Sequence, residues 1–331
     1  MRALLCSLIV LSASALRAEE DVVMKNTSVS EYDDKGLEKV RISPQEARFS
    51  GDRTTLKGVD IRTFSDGKEE LHIISPACLI DKSYQNKSSP LHKGASQEVV
   101  EISGPGFSIK GVGFDFEFSR VPGPDGKLVD SRTFFIRDQV KSTWRSTEPA
   151  AKPKADGKAA PAKSELPSDK IDISAQNLTY DDKDKKAVFE HDVIIVSDDM
   201  ILCCDRLTCL LVESLDENKK KRTQIHTAFA QGNIVIKRGT STCRCNDAAY
   251  YLAENQLKLT GKPVITEGRD TLQARRITIL LAAKVPSGAT PDPKAPGDII
   301  VFDEPVIVSW RKLDSPKTKP IPAKPAAAVN P

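Results

Sequence analysis

Apolar and polar residues alternate in short runs along the chain, most clearly between Phe229 and Gly261. Phe229-Ala230-Gln231-Gly232-Asn233-Ile234-Val235-Ile236 leads, across a polar break, to Cys243-Arg244-Cys245-Asn246-Asp247-Ala248-Ala249-Tyr250-Tyr251 and then to Gln256-Leu257-Lys258-Leu259-Thr260-Gly261. A period of two paves one face of a β-strand, so each run predicts a strand. Two kinds of run recur. The first has a small or apolar residue, a Gly two positions on, then β-branched residues: Ala230-Gly232-Ile234, Leu259-Gly261-Val264 and Leu56-Gly58, with looser copies at Phe189-His191-Val193 and Phe302-Glu304-Val306. The second reads Ile173, Ala175, Leu178, Tyr180; Leu202, Cys204, Leu207, Cys209; Cys243, Cys245, Ala248, Tyr250; Leu272, Ala274, Ile277, Ile279.

In the second kind the apolar positions change parity part-way. A regular strand would put Ile173 and Ala175 on the face opposite Leu178 and Tyr180. A bulge or bend between Ala175 and Leu178 returns them to one face, and Gly232 and Gly261 mark similar bends. A meander bent in this way folds into two facing sheets with an apolar interior. The residues predicted to line it are Ile173, Ala175, Tyr180, Val193, Leu202, Cys204, Ala230, Ile234, Ile236, Tyr250, Leu257, Leu259, Val264, Ala274 and Ile277, while Ile194, Val235 and Lys258 point away.

Length and composition set the domain plan. The 331 residues suffice for two domains, and with only 5% aromatic residues the core must come largely from aliphatic side chains on strands. The class expected is all-β: two tandem antiparallel β-jellyroll modules joined by a Pro/Ala/Lys linker. Residues 1–18 pair Met1-Arg2 with a short apolar run ending in Ala13-Ser14-Ala15 and Ala18, the pattern of a secretory signal peptide. The run is shorter than the ~20 residues a spanning helix needs, so the mature protein is expected in the periplasm, with a retained anchor as the competing reading. Residues 19–39 read as a flexible lead, 40–146 as the first module, 147–169 as a disordered linker, 170–312 as the second module and 313–331 as a disordered tail.

At Ile173-Ser174-Ala175-Gln176-Asn177-Leu178-Thr179-Tyr180-Asp181, Ala230-Gln231-Gly232-Asn233-Ile234-Val235-Ile236, Ala248-Ala249-Tyr250-Tyr251 and Leu257-Lys258-Leu259-Thr260-Gly261-Lys262-Pro263-Val264, the chain resembles the LptA/OstA family of lipopolysaccharide-transport proteins. The first module is similar, more loosely, to the related LptC, best at Gly104-Pro105-Gly106-Phe107 and Gly111-Val112-Gly113-Phe114. The resemblance implies an OstA-like jellyroll whose interior holds the acyl chains of lipid A. It also implies a bridge that takes lipopolysaccharide from an inner-membrane Lpt complex to an outer-membrane translocon, with end-to-end association through edge strands. His191 and Glu304 stand where the family tends to have Gly. The competing reading is a structural β-solenoid of the envelope with a filled core.

Other chemistry is weakly signalled. Cys203, Cys204, Cys209, Cys243 and Cys245 lie close in sequence, yet they occupy strand positions that other repeats fill with Ala, Leu, Tyr or Ile, unlike the turn-borne Cys-x-x-Cys of a metal site. They read as small lining residues or disulfides, and neither metal nor cofactor is expected. His72, His92, His191 and His226 are scattered without a catalytic partner, and Asp181-Asp182 and Asp198-Asp199 fall at turns. No phosphate loop or nucleophile elbow is present, so no enzyme is expected. A net charge of +3 offers no case for nucleic acid.

Overall fold

The computed structural model describes residues 22–33, 35–50, 53–81, 92–123, 126, 128–146, 169–197, 200–215, 221–252, 254–281, 299–303 and 306–309. The stretches expected to be a signal peptide, a linker (147–168) and a tail lie outside the described residues. The first half comprises β1 (Val22–Lys25), β2 (Val29–Tyr32), β3 (Glu38–Ser50), β4 (Arg53–Ser65), β5 (Lys68–Asp81), β6 (His92–Gly104), β7 (Phe107–Pro122) and β8 (Leu128–Ser146). The second comprises β9 (Asp169–Ala175), β10 (Asn177–Asp181), β11 (Lys186–Ser197), β12 (Met200–Leu215), β13 (Lys221–Arg238), β14 (Ser241–Tyr251), β15 (Gln256–Thr260), β16 (Val264–Glu267), β17 (Asp270–Gln273), β18 (Arg276–Leu280), β19 (Ile299–Asp303) and β20 (Ile307–Ser309). The fold is all-β, and among the described residues every strand pairing is antiparallel.

Most strands are long because each crosses a corner. The crossing needs a left-handed or bulged residue, supplied by Gly58, Gly113, Gln139, His191 with Asp192, Gly232 with Asn233, and Gly261 with Lys262, all at positive φ. The register shifts between Glu190 and Val193, Cys203 and Arg206, and Gln231 and Ile234 stand at the same level. At Gly232 a Cβ would lie 2.3 Å from the Asp205 carboxylate, so close approach as well as φ requires glycine. His191 takes the left-handed conformation without being Gly, which accounts for the looser repeat there. Between β9 and β10 the crossing falls at Gln176, and Ala175 and Leu178 are both buried on the same side, as their parity requires.

The corners divide the sheet into two facing arms. In the near arm β9 pairs with residues 140–146 of β8, and in the far arm β10 pairs with residues 133–136 of the same strand. One apolar core between the arms runs from Ile42 to Ile277.

Two sequence-based expectations are corrected here. The 19–39 lead is not a loose segment throughout: β1 and β2 pair along β3, whose outer edge would otherwise leave backbone donors and acceptors unmatched. Nor are the modules separate bodies tied by a linker, because β8 pairs with both β9 and β10 and the sheet continues across the boundary. Ser146 stands opposite Asp169, so the linker connects two strands that are already neighbours. Cleavage between residues 150 and 168 should therefore leave a nicked particle that elutes as one species with unchanged β-sheet circular dichroism. Separation of the pieces without denaturant would contradict the cross-boundary pairing.

Candidate functional site

The predicted interior positions largely converge. Ile173, Ala175, Tyr180, Val193, Leu202, Cys204, Ala230, Ile234, Ile236, Leu257, Leu259, Ala274 and Ile277 are buried between the arms, and Tyr250 is half-buried against the same core. Ile194 faces outward at 40% exposure. Lys258 also lies on the outer face, its Nζ 4.7 Å from the Tyr251 ring centre, and Phe229 meets that ring edge-on.

Val264 is a correction. Gly261 aligns with Gly232, but Pro263 takes the buried place that Ile234 holds on β13, so Ile265 rather than Val264 packs on the core. Register agrees: Ile265 stands opposite buried Cys243, and Val264 opposite exposed Arg244. Counting Val264 as the equivalent of Ile234 overlooked the extra residue at this corner.

The interior changes character along its length. On β7 and β8 it holds Phe107, Phe114, Phe116, Phe118, Phe134 and Trp144, all buried, whereas the buried apolar residues of β3 to β6 are Ile, Val, Leu, Ala and Cys. Phe107 stacks on Trp144 at 4.9 Å, and Phe134 on Tyr180 at 4.9 Å. From Val193 to Ile277 the buried hydrophobic residues are Val, Ile, Leu, Ala and Cys without an aromatic ring.

Where the halves meet, charged side chains lie half-buried beside the rings. Arg132 on the far arm donates from Nη1 to Thr63 Oγ1 (2.7 Å) on the near arm and from Nη2 to Glu70, and its Nε lies 3.1 Å from Asp182 Oδ2. Lys185 Nζ is 2.7 Å from both Asp182 Oδ1 and Glu213 Oε1, and the Tyr180 hydroxyl donates to Asp182 Oδ1 at 3.3 Å. The backbone N–H of Thr223 donates across the arms to Pro105 C=O at 2.8 Å. These groups surround a cavity of about 440 Å³ whose apolar lining includes Leu71, Phe107 and Tyr180.

The electrostatics follow from this packing. Burial, and then the Asp182 carboxylate, push the Tyr180 phenol up, so it stays a neutral donor. The hydrogen bond from Lys185 holds the Glu213 carboxyl below its ordinary range; this contact stabilises the fold at neutral pH and is lost as pH falls through the lowered value. Sequence reading found Tyr180 but missed the cluster. Asp182 reads as a turn residue, and nothing local ties Arg132 to Glu70, 62 positions away.

The described cysteines are free thiols. Cys78, Cys204, Cys209, Cys243 and Cys245 are buried, and Cys203 is half-buried on the outer side. Burial pushes the Cys78 and Cys204 thiols up to about 12. A hydrogen bond shared by Cys243 and Cys245 raises the first and lowers the second.

Two tests follow from this geometry. Arg132→Met leaves Glu70 and Asp182 half-buried beside an apolar chain and should cost about 1–3 kcal/mol in urea unfolding, most of it recovered on adding Glu70→Gln and Asp182→Asn. At about pH 8 the native protein should be alkylated by iodoacetamide at Cys203 well before Cys78 or Cys204, read site by site by mass spectrometry, because the thiolate is the nucleophile.

The profile of the family described as LptA/(LptD N-terminal domain) LPS transport protein matches residues 172–285. No curated protein matches the chain. Among solved structures, LptH from Pseudomonas aeruginosa, described as the LptA homologous periplasmic component of the lipopolysaccharide transport device, is 15% identical with a TM-score of 0.27. That match covers 40% of this chain and 94% of the LptH chain.

Proposed function

We propose, from the match of residues 172–285 to the LptA/(LptD N-terminal domain) LPS transport family, that the chain is a periplasmic bridge that shields the acyl chains of lipopolysaccharide between its two arms. It receives the lipid from the inner-membrane Lpt complex and passes it to the outer-membrane translocon. The observation that carries this reading is that most of the matched segment, from Val193 to Ile277, has an interior lined by buried aliphatic and small side chains. Each methylene kept from water contributes ~0.8 kcal/mol, so a dozen hold an acyl chain firmly without any specific polar contact. The chemistry asked of the protein is shelter rather than catalysis, and direction comes from the transporter behind it.

Contact with neighbours along the bridge is assigned to the strand ends. β1 and β2 pair with β3 at one end of the sheet, while β19 pairs with β18 and β20 with β17 at the other. Val29, Val301 and Ile307 on these strands are exposed, which suits end-to-end strand addition to another copy or an Lpt partner.

Photo-cross-linking tests the lipid assignment. Benzoylphenylalanine at Ile236 or Leu259 should capture lipopolysaccharide, whereas the same group at Val235 or Lys258 should not. Equal capture at inward and outward positions, or none at any, would refute an interior lipid site.

A further inference from the structure

The change of lining along the interior bears on how much of it a lipid can use. Admitting an acyl chain means parting the arms, and the loss depends on what interlocks there. Along β7 and β8 that means uncovering large rings, each burying about 150–250 Å². Phe114, Phe116 and Phe118 form one buried ring surface on the far arm, Phe114 5.4 Å from Phe116 and Phe116 5.1 Å from Phe118, and parting the arms would expose it. In the second half beyond Phe189, Cys204, Ala230, Cys243, Cys245, Ala248 and Ala274 interlock little, and methylenes can replace what contact is lost.

The transition is abrupt. Phe107 on the near arm stacks on Tyr180 of the far arm at 6.2 Å, and Tyr180 in turn stacks on Phe134. Trp144 is pinned at the same level: its Nε1–H donates to Ser142 Oγ at 3.1 Å, and that buried hydroxyl donates to Ile173 C=O at 3.4 Å. The ties between the arms, Arg132 to Glu70 and Thr223 to Pro105, stand beside these rings, where they resist opening.

We propose that Phe107, Phe134, Trp144 and Tyr180 form an end wall, so that acyl chains occupy the interior between β11 and β18 and none enters the first half. This rests on the lipid-binding reading above and divides the protein into a closed part and an openable part. The first half is then a fixed platform that holds the second half's sheet in line.

The test adds purified lipopolysaccharide to the full chain. Hydrogen–deuterium exchange of the unmodified protein should show lipid-dependent changes in β11–β18 and none in β4–β7. Benzoylphenylalanine at Phe116 should give no lipid adduct while the same group at Ile236 does, and opening the wall with Phe134→Ala and Tyr180→Ala should extend adducts to position 116. Lipid-dependent exchange in β4–β7, adducts at Phe116 with the wall intact, or no new adduct once it is opened would each overturn the wall while leaving the carrier reading in place. Absence of any lipid effect in either half overturns both.

Discussion

Everything in this fold depends on a strand turning a corner without losing its inward face. A β-strand presents alternate side chains to opposite sides, so a bend alone would aim half of each strand's apolar residues at solvent. The left-handed residues at the corner supply the half-period that corrects this. Because they stand level on successive strands, the corrections add into one continuous fold line. Where the side chain there is not Gly, as at His191 and Asp192, the neighbouring pairings hold the backbone in a conformation it would not choose alone. The bulges are thus what permits an interior between two arms.

Once the arms face each other, side-chain volume decides how firmly they stay together. The aromatic stretch along β7 and β8 is closed by shape. At its boundary the closure becomes electrostatic, with one guanidinium serving two carboxylates and a hydroxyl on both arms. Such a cluster adds little net stability compared with apolar packing, but removing one member strands the others in a poor solvent. Its contribution is registry: Arg132 can satisfy Thr63, Glu70 and Asp182 only when the arms are aligned.

Much of this was legible in the sequence, because period-two alternation and parity reversal are local and additive. The bend between Ala175 and Leu178, the corner at Gly232 and the inward set from Ile173 to Ile277 all follow from counting positions. The errors arose where counting is ambiguous or the cause is distant. Val264 was misassigned because Pro263 can belong either to a turn or to the buried face. The pairing of β1 and β2 depends on an unmatched edge of β3 that a local pattern cannot reveal. The sheet's continuity across the linker was hidden for a related reason: a Pro/Ala/Lys segment reads as a boundary, whereas pairing of Ser146 with Asp169 is a relation between strands. The Arg132 cluster lay beyond reach because its members come from β4, β5, β8 and the β10–β11 turn.

A continuous sheet with one packed part and one loosely interlocked part has a mechanical consequence. If the whole interior were lined with small residues, the arms could separate along their entire length and the far-arm strands would have no fixed reference. If it were aromatic throughout, the arms could not part without losing the core. Placing most rings in β7 and β8, with Tyr180 and Phe189 just beyond them, and the aliphatic and small residues from Val193 onward gives the second half a hinge at its own first strands. There β9 and β10 remain hydrogen-bonded to β8 on both arms. Opening by a few ångströms beyond that point breaks no strand pairing, since pairing runs within each arm and around the corner. What is lost is the contact between small side chains, and an inserted acyl chain restores it.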